Sequence, residues 1–180
     1  MLATVEGAKF TTRPATQEDA AAILACLRSA FEDHREAYTT GAFLDTVLTP
    51  DTLEQRLAQM RVFVAVDASS QVIGTIACQT VSREEGHIRG MAVLPRWQRA
   101  GVAAELLRAA ETELRKSKCA HVTLDTTAPL TRAMRFYEKN GYRRTGKIID
   151  FFGMPLYEYR KPLTGALMVG KQELVENPEG

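Results

Sequence analysis

A chain of 180 residues with 45% apolar and 25% charged side chains has the make-up of an ordinary soluble globular protein and the length of about one domain with a sizeable core. Its 23 lysines and arginines against 22 aspartates and glutamates leave a formal net charge of +1, so no global field draws it to nucleic acid or to an anionic membrane. No apolar stretch approaches the ~20 residues of a membrane span, and the amino terminus lacks a signal-peptide core. Cys26, Cys78 and Cys119 lie in apolar surroundings without metal-ligand spacing, which points to a cytoplasmic protein in a reducing compartment that uses no metal.

Lys9 to Arg13 reads as a first strand closed by Pro14. Thr16 then caps a helix with Asp19 in its first turn, and Ala20, Ile23, Leu24, Leu27, Ala30 and Phe31 give it one apolar stripe that must lie on a sheet. Between Glu32 and Leu48 the periodicity breaks. That segment is either a functional loop on the substrate side or a short helix packed by Phe43, Val47 and Leu48, and His34, Arg35, Glu36 and Tyr38 within it read as a solvated face. Thr49-Pro50 starts a helix through Met60 with Leu53, Leu57 and Met60 on its buried side. Val62 to Val66 is apolar throughout, as in a strand covered on both faces; Asp67 to Gln71 is a turn, and Val72 to Val81 completes a hairpin. Ser82 to Gly86 turns the chain into a central strand.

The apolar run Ile88 to Leu94 is that strand. Pro95 stops it, and Val102, Leu106, Leu107, Ala110 and Leu114 then recur at helical spacing. The first turn of such a helix has N–H groups without carbonyl partners and the positive end of the macrodipole, and Gly101 and Ala103 leave room for a phosphate to reach them. The same small residues would also suit a tightly packed strand-to-helix turn. No Gly-x-x-x-x-Gly-Lys-Ser/Thr occurs, nor a full Gly-x-Gly-x-x-Gly. Ala120 to Asp125 is the next strand, which makes a βαβ crossover. Leu130, Ala133, Met134 and Tyr137 share a face of a shorter helix ended by Asn140-Gly141, and Arg143 to Phe152 pairs with Leu156 to Tyr159 through Gly153-Met-Pro155. With no repeat or linker, a single domain is expected over residues 1–163 and a partly flexible tail over 164–180. The architecture is mixed α/β, with helices on both faces of a largely antiparallel sheet.

Gln98, Gly101 and Ala103 match the Gln/Arg-x-x-Gly-x-Gly/Ala signature of the GNAT N-acetyltransferases, and Met91-Ala-Val-Leu-Pro95 resembles the strand and bend that precede it. Ala133-Met-Arg-Phe-Tyr-Glu-Lys-Asn-Gly-Tyr142 is similar to the family's Ala-x-x-Phe-Tyr-x-x-x-Gly-Phe/Tyr segment. The likeness covers residues 9–163 in outline and 87–142 in detail. It implies the GNAT acyl-CoA N-acyltransferase fold, whose two central parallel strands splay so that the pantetheine arm of acetyl-CoA lies against the backbone of Met91, Ala92 and Val93. It further implies that amides from Arg99 through Ala100, Gly101 and Val102 to Ala103 hold the pyrophosphate. Gln98 would brace the loop or reach a phosphate oxygen, and an N–H near Val93 would face the thioester carbonyl.

The implied reaction is direct attack of a primary amine, on a small molecule or a peptide or protein, upon acetyl-CoA in a ternary complex. The amine must lose a proton and the departing thiolate must gain one. On the family match Tyr137 is the acid, a phenol of ordinary pKa about 10 facing a thiol of about 8.5. His87 falls where the histone-acetylating members carry a glutamate and is a candidate base; Glu85 competes for that role, and ordered water is a third route. Leu130 stands where the family often carries Asn, which alters the support of the pantetheine arm. That departure is the support for an alternative, a catalytically silent acyl-CoA-binding sensor or scaffold module. In the family the region between the first helices commonly helps form the acceptor site, and a local cluster of Glu32, Asp33, Glu84 and Glu85 would suit a polycationic acceptor. Related proteins are often homodimers, for which Ala166 to Val169 is the candidate contact.

Overall fold

The computed structural model of the protein describes residues 9–163; the expected tail, with Ala166 to Val169, lies outside the described residues. The strands are β1 (Phe10–Pro14), β2 (Arg61–Asp67), β3 (Val72–Thr80), β4 (Glu85–Val93), β5 (His121–Thr127), β6 (Arg143–Phe151) and β7 (Met154–Pro162), in one seven-stranded sheet ordered β1-β2-β3-β4-β5-β7-β6. Neighbours are antiparallel except β4 and β5, which are parallel because helix α4 (Val102–Lys116) carries the chain back to the end of the sheet where β4 began. Helices α1 (Ala20–Phe31), α2 (Thr40–Val47) and α3 (Pro50–Gln59) bury their apolar faces on one side of the sheet. On the other side lie α4 and α5 (Thr131–Lys139). The expected mixed architecture, central crossover and β2–β3 hairpin are all present, and among the described residues no helix is long and apolar enough to cross a membrane.

Departures from expectation are local. The helix expected from Thr16 opens with a 3-10 turn, Gln17–Asp19. There the Asp19 carboxylate accepts the Thr16 N–H at 2.8 Å and the Arg13 guanidinium at 2.7 and 2.9 Å, tying β1 to α1. The ambiguous stretch after Phe31 becomes a 3-10 segment, Glu32–Ala37, and then α2, with Phe43, Val47 and Leu48 buried as the short-helix alternative required. Glu85 opens β4 rather than sitting in the preceding turn. β7 begins at Met154, and the hairpin turn is Phe152-Gly153, both at positive φ (51° and 84°), the conformation that matches the twist of paired strands.

Helix α4 is seated closely because two strand residues opposite it have no side chain. A Cβ on Gly74 would lie 2.9 Å from Leu106, and one on Gly86 would lie 2.6 Å from Leu114. Behind this packing is one buried charge, Glu111, 5% exposed. It accepts Lys161 Nζ at 2.9 and 3.0 Å, the Tyr142 hydroxyl at 2.9 Å and the Arg115 guanidinium at 3.2 Å. The cluster joins α4, β7 and Tyr142, three residues beyond the end of α5, and it holds the Tyr142 ring against Tyr137 at 5.8 Å in edge-to-face contact. Glu111→Ala leaves the Lys161 ammonium and the buried Tyr142 hydroxyl unpaired, so it should lower stability by about 3 kcal/mol in urea unfolding, with a smaller loss for Glu111→Gln.

Candidate active site

β4 and β5 pair only from Glu85 to Ile88 against His121 to Leu124. Beyond Ile88, β4 carries a bulge. On β3, Thr75 and Ala77 are two residues apart, yet they face Ala92 and Arg89, three apart on β4, so the extra residue bends β4 away. Gly90, inside the bulge, has φ +66°, a left-handed conformation that glycine adopts without steric cost. β5 stays with β7 as far as Thr127. The two strands therefore separate, and β4 loses its β5-side ladder partner from Arg89 onward. The gap opens into a cleft of about 1130 Å³ that reaches from the start of α4 to α2 and α3.

At the α4 end, the 3-10 turn Pro95–Trp97 is followed by Arg99 at φ +67° and Gly101 at φ +86°, the residue that caps α4. A Cβ on Gly101 would meet nothing within 4 Å, so there is open space beside the start of a fifteen-residue helix, whose first-turn amides have no intrahelical partner. Gln98 bridges this turn to both neighbouring walls: its Nε2 donates to the Val93 carbonyl at 3.4 Å and its Oε1 accepts Arg132 Nη1 at 3.0 Å. Met91, Val93, Gln98, Arg99, Gly101 and Ala103 line the cleft, whereas Ala92, Ala100 and Val102 do not. Ala92 packs under α1, and Val102 is buried against Gly74, so these residues can offer a ligand only backbone.

Midway along the cleft, α5 presents Tyr137 from a site that leaves it 7% exposed. Burial alone pushes its phenol up, with no hydrogen bond or charge opposing, so the hydroxyl keeps its proton at any working pH. Leu130, just before α5, lines the same cleft and packs into the α1-side core.

His87 faces Tyr137's cleft from β4, and the parallel register brings β5 side chains to it. Its Nδ1 lies 2.9 Å from Thr123 Oγ1 and its Nε2 lies 3.5 Å from Asp125 Oδ2. Glu85 Oε1 at 3.2 Å and the Gly86 carbonyl at 3.4 Å can each take the one hydroxyl proton of Thr123; its oxygen is then free to accept His87 Nδ1–H, the tautomer that leaves the lone pair on Nε2. Burial pushes the His87 imidazole down and the Asp125 carboxyl up, each partly opposed by the other's charge. Asp125 Oδ1 is buried without a partner. Glu85 lies outside the cleft walls; its carboxylate is held by His121 at 3.1 Å and by Thr123, interactions that keep it below the usual carboxylate range. It touches His87 only through Thr123.

The profile of the acetyltransferase (GNAT) family matches residues 23–142. This chain belongs to the GNAT family. No curated protein matches its sequence. Among solved structures, the GNAT chain resembles the PaiA N-acetyltransferase of Thermoplasma acidophilum in complex with coenzyme A (17% identity, TM-score 0.71, covering 86% of this chain and 99% of that one). It also resembles the ribosomal-protein-S18-alanine N-acetyltransferase of Escherichia coli (19%, 0.69, 91% and 98%) and a GNAT acetyltransferase of Staphylococcus aureus (14%, 0.71, 86% and 99%). At these identities the likeness is one of fold.

The far half of the GNAT chain's cleft is built by the segments that sequence reading left least defined. Tyr38 and His34 line it, while Arg35 and Glu36 remain exposed. The expectation of a solvated face thus holds for two of the four residues. Tyr38 turns inward because its ring packs edge-on against Phe31 at 6.5 Å and its hydroxyl meets Thr127 Oγ1 at 2.6 Å. The β6–β7 turn closes down on α2: Thr39 Oγ1 donates to the Phe152 carbonyl at 2.7 Å, and the Phe152 ring lies where a Cβ on Gly41 would be. Arg89 pairs with Asp45 at 3.2 Å, and Arg56 of α3 lies over Gly90. The carboxylates Glu32, Asp33, Glu84 and Glu85 are absent from the lining, so this half of the cleft is not the acidic trap expected for a polycation. Sequence reading missed Asp125, Arg56, Asp45 and Arg89. Of these only Asp125 had a signal, its place on the same face of β5 as Thr123. Asp125→Asn removes the charge that raises His87, so the His87 pKa should fall further, read from the imidazole proton shifts in an NMR titration; an unchanged or raised value would separate the pair.

Proposed function

We propose that the protein is an acetyl-CoA-dependent N-acetyltransferase that acetylates a primary amine of a small molecule or peptide by direct attack in a ternary complex. The carrying observation is the continuity of one cleft, from the open turn at Gly101, past the unpaired edge of β4, to Tyr137 and the His87–Asp125 pair. The residues present suit coenzyme A in kind. The Gly101 turn has space where a Cβ would project, β4 offers main-chain groups without a β5 partner, and two further cleft residues, Trp97 and Thr126, hold buried polar atoms without partners.

In this reading the amides from Arg99 to Ala103 bind the pyrophosphate, helped by the α4 macrodipole, while Gln98 keeps the turn fixed to Val93 and Arg132. Main-chain groups of Met91 to Val93 pair with the pantetheine amides as a strand would, and an N–H near Val93 faces the thioester carbonyl, where its hydrogen bond gains strength as charge develops. When bound, acetyl-CoA supplies the thioester whose carbon–sulfur bond breaks as the amine nitrogen bonds the acetyl carbon. His87 Nε2 receives the amine proton, since burial keeps the ring neutral at neutral pH and Thr123 fixes its tautomer. Asp125 Oδ2, the carboxylate oxygen beside Nε2, accepts an amine N–H. Tyr137 gives its phenolic proton to the thiolate; burial keeps the phenol protonated and also weakens it as an acid, so the transfer depends on a thiolate that is itself deprived of solvent and more basic than in water. Glu85 serves as a partner of Thr123 and not as the base. Leu130 favours one other reading, a silent acyl-CoA-binding module, because it offers the cleft no side-chain amide; turnover separates the two.

Calorimetric titration of the folded protein with acetyl-CoA should give saturable one-site binding, and its absence would remove the enzyme reading. Gly101→Val should abolish that binding by filling the open turn, with a stability cost of about 1–2 kcal/mol from a β-branched residue at positive φ. Tyr137→Phe should lower kcat by about a hundredfold with acetyl-CoA affinity retained; unchanged turnover would exclude the phenol as the acid.

A further inference from the structure

Arg56 belongs to the buried side of α3, one turn after the core residue Leu53. Its guanidinium reaches the β4 bulge and occupies the space that a Cβ on Gly90 would take. Nothing within the described residues neutralises it at contact distance: Asp45, the nearest carboxylate influence, is bonded to Arg89 at 3.2 Å, and Arg89 itself repels Arg56. Burial and that repulsion push Arg56 down to about 10, so at neutral pH the charge remains. A desolvated guanidinium without a counter-ion is costly to the protein alone.

The same half of the cleft holds the opposite deficiency. Asp125 sets Oδ2 3.5 Å from His87 Nε2 on the cleft wall, with Oδ1 buried behind it without a partner, a carboxylate that no donor among the described residues satisfies at hydrogen-bond distance. The strand positions that carry the two features, His87 and Gly90, are three residues apart on β4, about 10 Å of strand. The cleft thus offers an acceptor for amine hydrogens at one end and a planar, bidentate donor for a carboxylate at the other, with His34, Tyr38 and the Asp45–Arg89 pair among the further charged or titratable groups facing that space.

We infer that the acceptor is a free amino acid, its amine seated at His87 and Asp125 and its carboxylate paired with Arg56. This rests on the acetyl-transfer reading above. A carboxylate supplies the counter-ion that Arg56 lacks, and the amine pairs with the Asp125 carboxylate through Oδ2. A polyamine would instead bring a second ammonium against Arg56, and a peptide amide in place of the carboxylate would leave the guanidinium unpaired. Arg56 is therefore the residue that sets specificity, and Gly90 is what makes room for it.

The test is thiol release from acetyl-CoA by the full chain, using α-, β- and γ-amino acids, each beside its own carboxamide, with spermidine and a short amidated peptide as further acceptors. At least one free amino acid should be acetylated, with kcat/KM about a hundredfold above its carboxamide and most of the difference in KM. Arg56→Gln should shrink that ratio to about threefold or less while calorimetric affinity for acetyl-CoA is retained, and Arg56→Lys should restore part of it. Equal use of acid and amide, preference for spermidine or peptide, or a preference that survives Arg56→Gln would overturn the inference. So would binding of acetyl-CoA with no turnover of any amino acid. If Arg56→Gln fails to fold, the acid-to-amide ratio of the unaltered protein decides. Failure of the unaltered, folded protein to bind acetyl-CoA is a different result: it removes the acetyl-transfer reading, and the acceptor inference falls with it.

Discussion

The pairing of β4 with β5 ends at Ile88, and the rest of the molecule is arranged around that interruption. A central strand that gives up ladder hydrogen bonds incurs a cost that packing elsewhere must offset. β4 keeps its bonds to β3 through the bulge, β5 keeps its bonds to β7, and α4 presses on β3 and β4 through the side-chain-free positions Gly74 and Gly86. The Glu111 cluster secures α4 to β7, and Tyr142 carries that rigidity to Tyr137. The gap is therefore a fixed feature of a stiff frame, so a ligand entering it meets groups already in position.

Much of this frame was legible in the sequence. The apolar stripe of α1, the unbroken apolar run of β2 and the strand-turn-helix pattern through Gly101 each follow from side-chain periodicity, which depends on local geometry alone. The two motif segments located the turn and Tyr137 in the same way. What stayed hidden depends on register and on distant partners. His87 meets Asp125 because Glu85 aligns with His121 across a parallel pair, and neither strand encodes that alignment by itself. Glu85 and His87 look equivalent on an alternating strand, yet one is captured by His121 and the other lines the cleft. Tyr38 directly follows a 3-10 segment with no clear period, and its direction is set by Phe31 and Thr127. A loop signature also cannot distinguish a residue that offers its side chain from one that offers only its backbone, which is why Ala92 and Val102 read alike with Gly101.

The two halves of the cleft are built differently. The end at α4 uses main chain, glycine conformation and a helix terminus, features indifferent to most neighbouring side chains. The end at α2 and α3 uses side-chain charges: Asp45 with Arg89, Arg56 over the bulge, and Asp125 beside His87. Reliance on main chain at one end and on individual side chains at the other allows a common donor site to coexist with a chain-specific acceptor site.

The link from Thr39 to the Phe152 carbonyl joins the last hairpin of the sheet to the first turn of α2. These elements are 113 residues apart in sequence, so the contact closes a long stretch of chain and ties the edge hairpin of the sheet to the helices of one face. Phe151 lines the cleft while the neighbouring Phe152 ring covers Gly41. Loosening this link would therefore shift one wall of the cleft without touching the charges inside it.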